Sequence, residues 1–255
     1  MQSSRTDRRL TLAARRPRAA PVWLFDLDNT LHAASFAIFP AINRLMTDYV
    51  ERVAQVERAE ADALRRVYTE RYGATLMGLL RHHTVDAHDF LHQVHQLGDL
   101  APLLRAERGL AATLRALPGR KIILTNGPAA YAREVLRELG IARLFEQVIA
   151  IEQMQHGRAW RAKPDLAMLR RLLRRARIQP AQAILVEDTR GHLKSYKRLG
   201  IRTVWMVGHL TAKRAVGSGR PHYIDHRIRS LKSLHTSTGP RRQPWRSPAP
   251  SKHRL

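Results

Sequence analysis

Val22-Trp23-Leu24-Phe25-Asp26-Leu27-Asp28-Asn29-Thr30-Leu31 is the stretch whose reading decides the fold. Four apolar residues in a row are the pattern of a short strand buried on both faces. Such a strand delivers Asp26 and Asp28 to its carboxyl end, and Asn29-Thr30 turn the chain away. Two acids one residue apart repel each other and lose hydration inside a fold, so they call for a compensating charge. A divalent cation supplies it, and a carboxylate beside a metal can attack phosphorus. The competing reading is plainer: a strand ending in a turn for which Asp and Asn are suited.

Three later stretches decide between the two. Lys121-Ile122-Ile123-Leu124 is a second strand-like run and ends in Thr125-Asn126-Gly127. Lys163-Pro164 sits in a loop ahead of a helical stretch. Ala183-Ile184-Leu185-Val186 is a third strand-like run and ends in Glu187-Asp188-Thr189. An acid pair, a Thr/Asn phosphate cradle, a lysine and a second acid pair therefore follow in order, each after a strand or in a loop. This order resembles the haloacid dehalogenase superfamily, whose four motifs stand here as DLDNT, TN, K and ED. The resemblance spans roughly residues 21–210.

The organisation agrees with it. After the first strand the pattern turns helical from Phe36 to about Arg105, with Ile42, Leu45, Met46, Tyr49, Val53 and Val56 on one helix face. A second amphipathic helix, Ala59 to Tyr72, ends at Gly73. Strand–helix alternation then resumes and continues to about residue 207. This predicts an α/β doubly wound parallel sheet, with ligands outside the carboxyl ends of its strands. The expected division is a core of 21–35 and 106–210, a helical insert of 36–105, and basic tails of 1–20 and 211–255. In the superfamily such an insert is a cap that closes over the sheet, which implies hinges at about His32–Phe36 and Ala101–Glu107.

Composition excludes several classes. The chain of 255 residues has no cysteine, so disulfides, thiolate metal sites and a cysteine nucleophile are out. No apolar run approaches the ~18 residues of a membrane span. Arg8-Arg9 is not followed by an apolar stretch, so export is not expected and a cytoplasmic location is. The net charge of +24 is uneven: residues 1–20 carry +5 and residues 211–255 carry +10. Both ends read as solvated, disordered extensions able to touch nucleic acid non-specifically. The basic remainder suits a phosphorylated substrate.

What the resemblance implies about roles can be stated residue by residue. Asp26 is the nucleophile that takes the phosphoryl group, and Asp28 the acid and base. Magnesium is held by Asp26, the backbone carbonyl of Asp28, and Asp188. Thr125 and the Asn126 backbone bind phosphoryl oxygens, and Lys163 offsets charge. In close subtypes an Asn follows the second acid pair; here His192 stands in its place, which leaves the parts of His192 and Glu187 open. Dehalogenases of the superfamily use one acid and no metal, so Asp28 favours phosphoryl transfer.

Within the insert, Tyr72-Gly73, Gly78-Leu79, His83 and Val94-His95 resemble the pyrimidine 5′-nucleotidase branch. That implies a nucleoside monophosphate substrate with Tyr72 and His83 at its base. A phosphoglycolate or sugar phosphatase is the alternative, as is a nucleic-acid-associated basic protein on the same scaffold. His88, His92 and His95 fall on one helix face, more consistent with a solvated or cleft-lining stripe than with zinc. Arg170, Arg171, Arg174 and Arg175 read as the wet face of a sheet-packing helix.

Overall fold

A computed structural model describes residues 20–210 and 221–236. Six parallel strands form one sheet in the order β3-β2-β1-β4-β5-β6. In chain order these are β1 (Val22–Phe25), β2 (Arg120–Leu124), β3 (Gln147–Ile149), β4 (Ala183–Glu187), β5 (Arg202–Met206) and β6 (His226–Ile228). Four helices lie between β1 and β2: α1 (Ile38–Ala54), α2 (Arg58–Tyr72), α3 (Thr75–His82) and α4 (Ala87–Gln93). The crossovers use α5 (Leu110–Ala116), α6 (Ala129–Glu138), α7 (Leu166–Arg175) and α8 (Arg190–Lys197), and α9 (Ser233–Thr236) ends the described chain.

The sheet is covered on both faces, so its strands are apolar throughout rather than alternating. Trp23 and Phe25 of β1 pack with Ile123, Ile184, Val204 and the α5 and α6 side chains Leu114, Val135 and Leu136. Val22 and Leu24 point the other way, to Leu124, Leu185 and the α7 residues Met168, Leu169, Leu172 and Leu173. The arginines of α7 split. Arg170, Arg174 and Arg175 are exposed as a wet face requires. Arg171 instead folds back to donate to the Met154 and Gln155 carbonyls.

The inserted helices bury a third cluster around Tyr49, Tyr68, Leu79, Phe90 and Val94, to which Ile151 and Ala162 of the core contribute. Gly78 is required there, because a Cβ would fall 2.1 Å from the Tyr68 ring. Gly73, at φ +86°, ends α2 in the left-handed conformation. A side chain at Gly73 would also press on the Lys163 carbonyl, at 3.3 Å. The two chain crossings into the insert are tied together: Ala33 N–H donates to the Arg105 carbonyl at 2.7 Å, and His32 bridges Ala106.

Residues 221–236 depart from the expected tail. They add β6 to the sheet beside β5, and Ile224, Ile228, Leu231 and Leu234 are buried. The strand is three residues long and set among basic residues, too short for its periodicity to stand out. A chain that ended before residue 221 would lose that strand and those four buried side chains. The other parts of both tails, residues 1–19, 211–220 and 237–255, lie outside the described residues, as does the polyanion contact expected of them. No helix among the described residues is long and apolar enough to cross a membrane.

Candidate active site

The carboxyl ends of β1, β2 and β4 meet because β1 lies between the other two in matched register: Phe25 pairs with both Ile123 and Val186. The residues that follow each strand are therefore neighbours, which puts Asp26, Thr125 and Glu187-Asp188 at one edge. Asn29 turns the chain at φ +58°, a conformation Asn tolerates. Its side chain holds the bend, accepting from Ser35 N–H at 2.9 Å and donating to the Ser35 hydroxyl at 2.9 Å.

Lys163 comes in from the loop before α7 and is only 2% exposed. Its ammonium donates to Asp26 Oδ1 at 2.6 Å and to Glu187 Oε2 at 2.8 Å. Burial alone would lower its pKa, but the two carboxylates raise it, so it stays charged. Asn126 explains how the loop is held. Its carbonyl oxygen accepts from Lys163 N–H at 2.7 Å and its amide donates to the Lys163 carbonyl at 3.3 Å. The Asn126 side chain is thus spent on the lysine loop. Thr125 is buried and its hydroxyl accepts from Gly127 N–H at 3.0 Å.

The four acids divide into two kinds. Glu187 is satisfied: Lys163 and His192 lie on Oε2, and Thr189 N–H donates to Oε1 at 3.0 Å. Burial pushes its pKa up, but Lys163 and His192 outweigh that and hold it well below the carboxylate range. Asp28 is satisfied on one side, with the Tyr131 hydroxyl donating to Oδ1 at 2.6 Å and His32 Nε2 at 3.1 Å from the same atom. Burial is again outweighed by these contacts, and its pKa is lowered. Asp26 is the reverse. Burial and Glu187 push it up to about 6 despite Lys163, with the Thr30 hydroxyl 3.1 Å from Oδ2. Asp188 is pushed well above the usual value by burial and by Glu187.

Oxygens of Asp26, Glu187 and Asp188 lie within 4.8 Å of one another, the one group of three such ligands among the described residues. One lysine cannot offset that many buried carboxylates, so the donor set fits a hard divalent cation. Lys163, His192 and Thr189 all lie on Glu187, whereas Asp188 accepts only from the Thr189 hydroxyl at 3.0 Å and the Asn29 amide at 3.5 Å, and Asp26 from Lys163 and Thr30, so Asp26 and Asp188 have the greater capacity for it. His192 orients Glu187 at 3.0 Å, which gives that position a partner in the site. The helix histidines do not converge. His88 packs on Trp160, and His95 bonds the Leu91 carbonyl at 2.9 Å beside the Tyr131 ring.

The two expected base-binding residues separate. Tyr72 lines a groove of about 860 Å³ between the insert and the core, with Arg71, Arg81, Arg158, Trp160 and Arg161. Its hydroxyl lies 2.7 Å from His82 Nε2. His83 is not among the residues lining that groove; its Nε2 is 2.9 Å from the Tyr68 hydroxyl, inside the insert. Sequence reasoning missed His32 and Tyr131. His32 carried a signal, standing four residues after Asp28; Tyr131, 103 residues away, carried none.

Residues 23–206 match the family model described as haloacid dehalogenase-like hydrolase. Among curated relatives, the phosphorylated carbohydrates phosphatase of Thermotoga maritima is 24% identical over 73% of this chain and 84% of its own. Phosphoglycolate phosphatase 1 of Pseudomonas aeruginosa is 23% identical over 86% of this chain and 80% of its own. The crystal structure of a HAD phosphatase from Thermococcus onnurineus superposes with a TM-score of 0.57 at 20% identity, covering 85% of this chain and 96% of that one. A 2-haloacid dehalogenase from Pseudomonas syringae does so with 0.54 at 21% identity, covering 85% and 97%. The fold is shared by phosphatase and dehalogenase alike, but the family model spans most of the chain and all the motif residues: the chain belongs to the haloacid dehalogenase-like hydrolases.

Proposed function

We propose that this chain is a magnesium-dependent phosphomonoesterase for a small phosphorylated substrate of the phosphoglycolate or sugar-phosphate class. The observation that carries this is the buried pairing of Asp26 with Lys163 at 2.6 Å, beside Asp188 and with Asp28 two residues on. A dehalogenase needs no second acid; here Asp28 is present and has its own donors. The names of the curated relatives support the substrate class.

Asp26 attacks phosphorus, the bond to the leaving oxygen breaks, and Asp28 gives that oxygen its proton. Water then attacks the aspartyl-phosphate, Asp28 takes the water's proton, and the bond from phosphorus to Asp26 breaks. Splitting hydrolysis in this way replaces one difficult displacement with two easier ones. Lys163 neutralises charge on Asp26 and on the phosphoryl oxygens, and Thr125 contributes a hydroxyl to them. Magnesium, held by Asp26, Asp188 and the Asp28 carbonyl, would supply Lewis-acid polarisation of the phosphoryl group. The insert between Phe36 and Arg105 acts as the cap that selects the leaving group and excludes water.

A second reading, a pyrimidine 5′-nucleotidase, draws on the groove at Tyr72 and Trp160, whose rings could stack a base. His83 no longer supports it, being bonded within the insert. A screen of phosphoglycolate, sugar phosphates, UMP and CMP, each with magnesium and with EDTA, separates the readings. Magnesium-dependent release of phosphate from glycolate or sugar esters with UMP and CMP inert is the expected result. Preference for UMP or CMP by tenfold or more in kcat/KM, about 1.4 kcal/mol, would transfer the assignment to the nucleotidase.

A further inference from the structure

Two side chains hold one and the same oxygen of Asp28. His32 is fully buried, and its Nε2 lies 3.1 Å from Asp28 Oδ1. Its other nitrogen, Nδ1, is buried with no partner. An unmet N–H costs more than an unmet lone pair, so the tautomer consistent with these contacts has the proton on Nε2, donating to Asp28. Tyr131 donates to the same oxygen at 2.6 Å from the opposite side of the sequence. Both donors converge on Oδ1, and no hydrogen bond to Oδ2 is made by a described residue.

We propose that His32, together with Tyr131, is a positioning residue for proton transfer: the two clamp Oδ1 of Asp28 so that Oδ2 alone faces the leaving-group oxygen. The inference rests on the phosphomonoesterase reading. His32 is well placed for the task because its backbone is fixed where the two chain crossings meet, bridging both Asp28 and Ala106. The clamp is therefore rooted in the core rather than in a loop tip. A carboxylate without it could rotate about its terminal bond, and proton transfer depends on alignment within hydrogen-bond reach.

The test uses the full-length chain and three substitutions: His32→Met, of similar bulk without a donor; His32→Gln, which keeps an amide donor; and Tyr131→Phe. The quantity read is kcat/KM, which reports steps up to phosphoryl transfer and so leaves out the later deprotonation of water. An alkyl phosphomonoester, whose leaving group must be protonated, is compared with p-nitrophenyl phosphate, whose leaving group need not be. His32→Met and Tyr131→Phe should each lose about 10²-fold on the alkyl ester, the low end of a general acid's contribution, and less than about threefold on the aryl ester. His32→Gln should recover most of the alkyl activity. Equal losses on both esters, or a Gln variant as poor as the Met variant, would overturn the proposal. Crystal structures of His32→Met and Tyr131→Phe give an answer that does not use turnover: the Asp28 carboxylate should leave its present orientation, and an unmoved carboxylate refutes the clamp. A wild-type protein inert toward every phosphomonoester with magnesium would sink the enzyme reading instead, leaving the carboxylate orientation to decide whether the clamp exists.

Discussion

Two acid pairs, one at the carboxyl end of β1 and one at that of β4, look alike in sequence and are treated alike by the fold. In each, the pKa of one carboxylate is lowered by its surroundings and that of the other is raised. Burial is outweighed at Asp28 and Glu187 by their donors, which lower their pKa values; at Asp26 and Asp188 burial and Glu187 raise them, even though Asp26 keeps Lys163 and Thr30 and Asp188 keeps Thr189 and Asn29. The protein thus builds two fixed organisers and two carboxylates whose ionisation the site opposes. Ionising a carboxylate against burial and a neighbouring acid is costly, so the pair with raised pKa values marks where a cation and a phosphoryl group belong.

The first way to break this comparison is Asp26→Asn. If Asp26 is the nucleophile, turnover should fall by at least about 10⁴-fold, as for loss of a covalent nucleophile elsewhere, while the protein still melts cooperatively in EDTA. Retained phosphatase activity in purified, magnesium-replete protein would end the assignment. Lys163→Met attacks the other half. It leaves Asp26 and Glu187 buried without their shared cation, for which the expected cost is about 3–5 kcal/mol of stability, read by urea denaturation. A variant of unchanged midpoint would mean that the lysine is not what holds the two strands' acids together.

The contrast within the second pair is sharper still. Asp188→Asn should weaken magnesium binding by at least about tenfold in calorimetry and raise stability in EDTA, because it removes an acid that crowds Glu187 and Asp26. Glu187→Gln should do the opposite, keeping more of the metal affinity but lowering stability, since Lys163 and His192 lose a charged acceptor. If the two variants behave alike, the division into organiser and ligand fails.

Acidity offers a third check, with a definite sign. The folded pKa of Asp26, about 6, is raised above its unfolded value, so ionisation opposes folding. The penalty is absent below the unfolded pKa, grows as pH rises from about 4, and is complete once pH passes the folded value. In EDTA, wild type should therefore lose on the order of 2–3 kcal/mol relative to Asp26→Asn between pH 4 and 7, and magnesium should remove the difference. A flat difference across that range would show that Lys163 alone satisfies the carboxylate.

Much of this was legible in the sequence. The apolar runs before Asp26, Thr125 and Glu187 announce buried strands by their continuity, and the order of the motif residues announces which strand ends meet. The insert's first helix was legible from its spacing, because Ile42, Leu45, Met46, Tyr49 and Val53 repeat at helical intervals. What stayed hidden depends on contacts that cross the fold. Tyr131 reaches Asp28 from a helix 103 residues away, and its ring is an ordinary core residue until the register of β1 and β2 is known. The Asn126 backbone was expected at the phosphoryl oxygens, but nothing in the sequence told that its side-chain amide would pin the Lys163 backbone. The last strand was missed because three residues among arginines make no period.

The smallest expected effects lie in the cap, where the comparison is between choosing a substrate and transforming it. Tyr72 lines the groove with its ring, and Arg71 and Arg81 stack on that ring at 5.6 and 5.8 Å. Tyr72→Ala should lower kcat/KM for the preferred substrate by roughly 1 kcal/mol, about fivefold, the usual size of a lost aromatic contact. Hydrolysis of p-nitrophenyl phosphate should change less, since its leaving group makes little use of the groove. His83→Ala should act differently. Its nitrogen is bonded to the Tyr68 hydroxyl inside the insert, so roughly 0.5–1.5 kcal/mol of stability is expected to go, with substrate preference unaltered. Parallel losses on both esters for Tyr72→Ala would make that ring structural as well. A change of substrate preference in His83→Ala, with stability intact, would instead restore it to the substrate's side of the cap and strengthen the nucleotide reading.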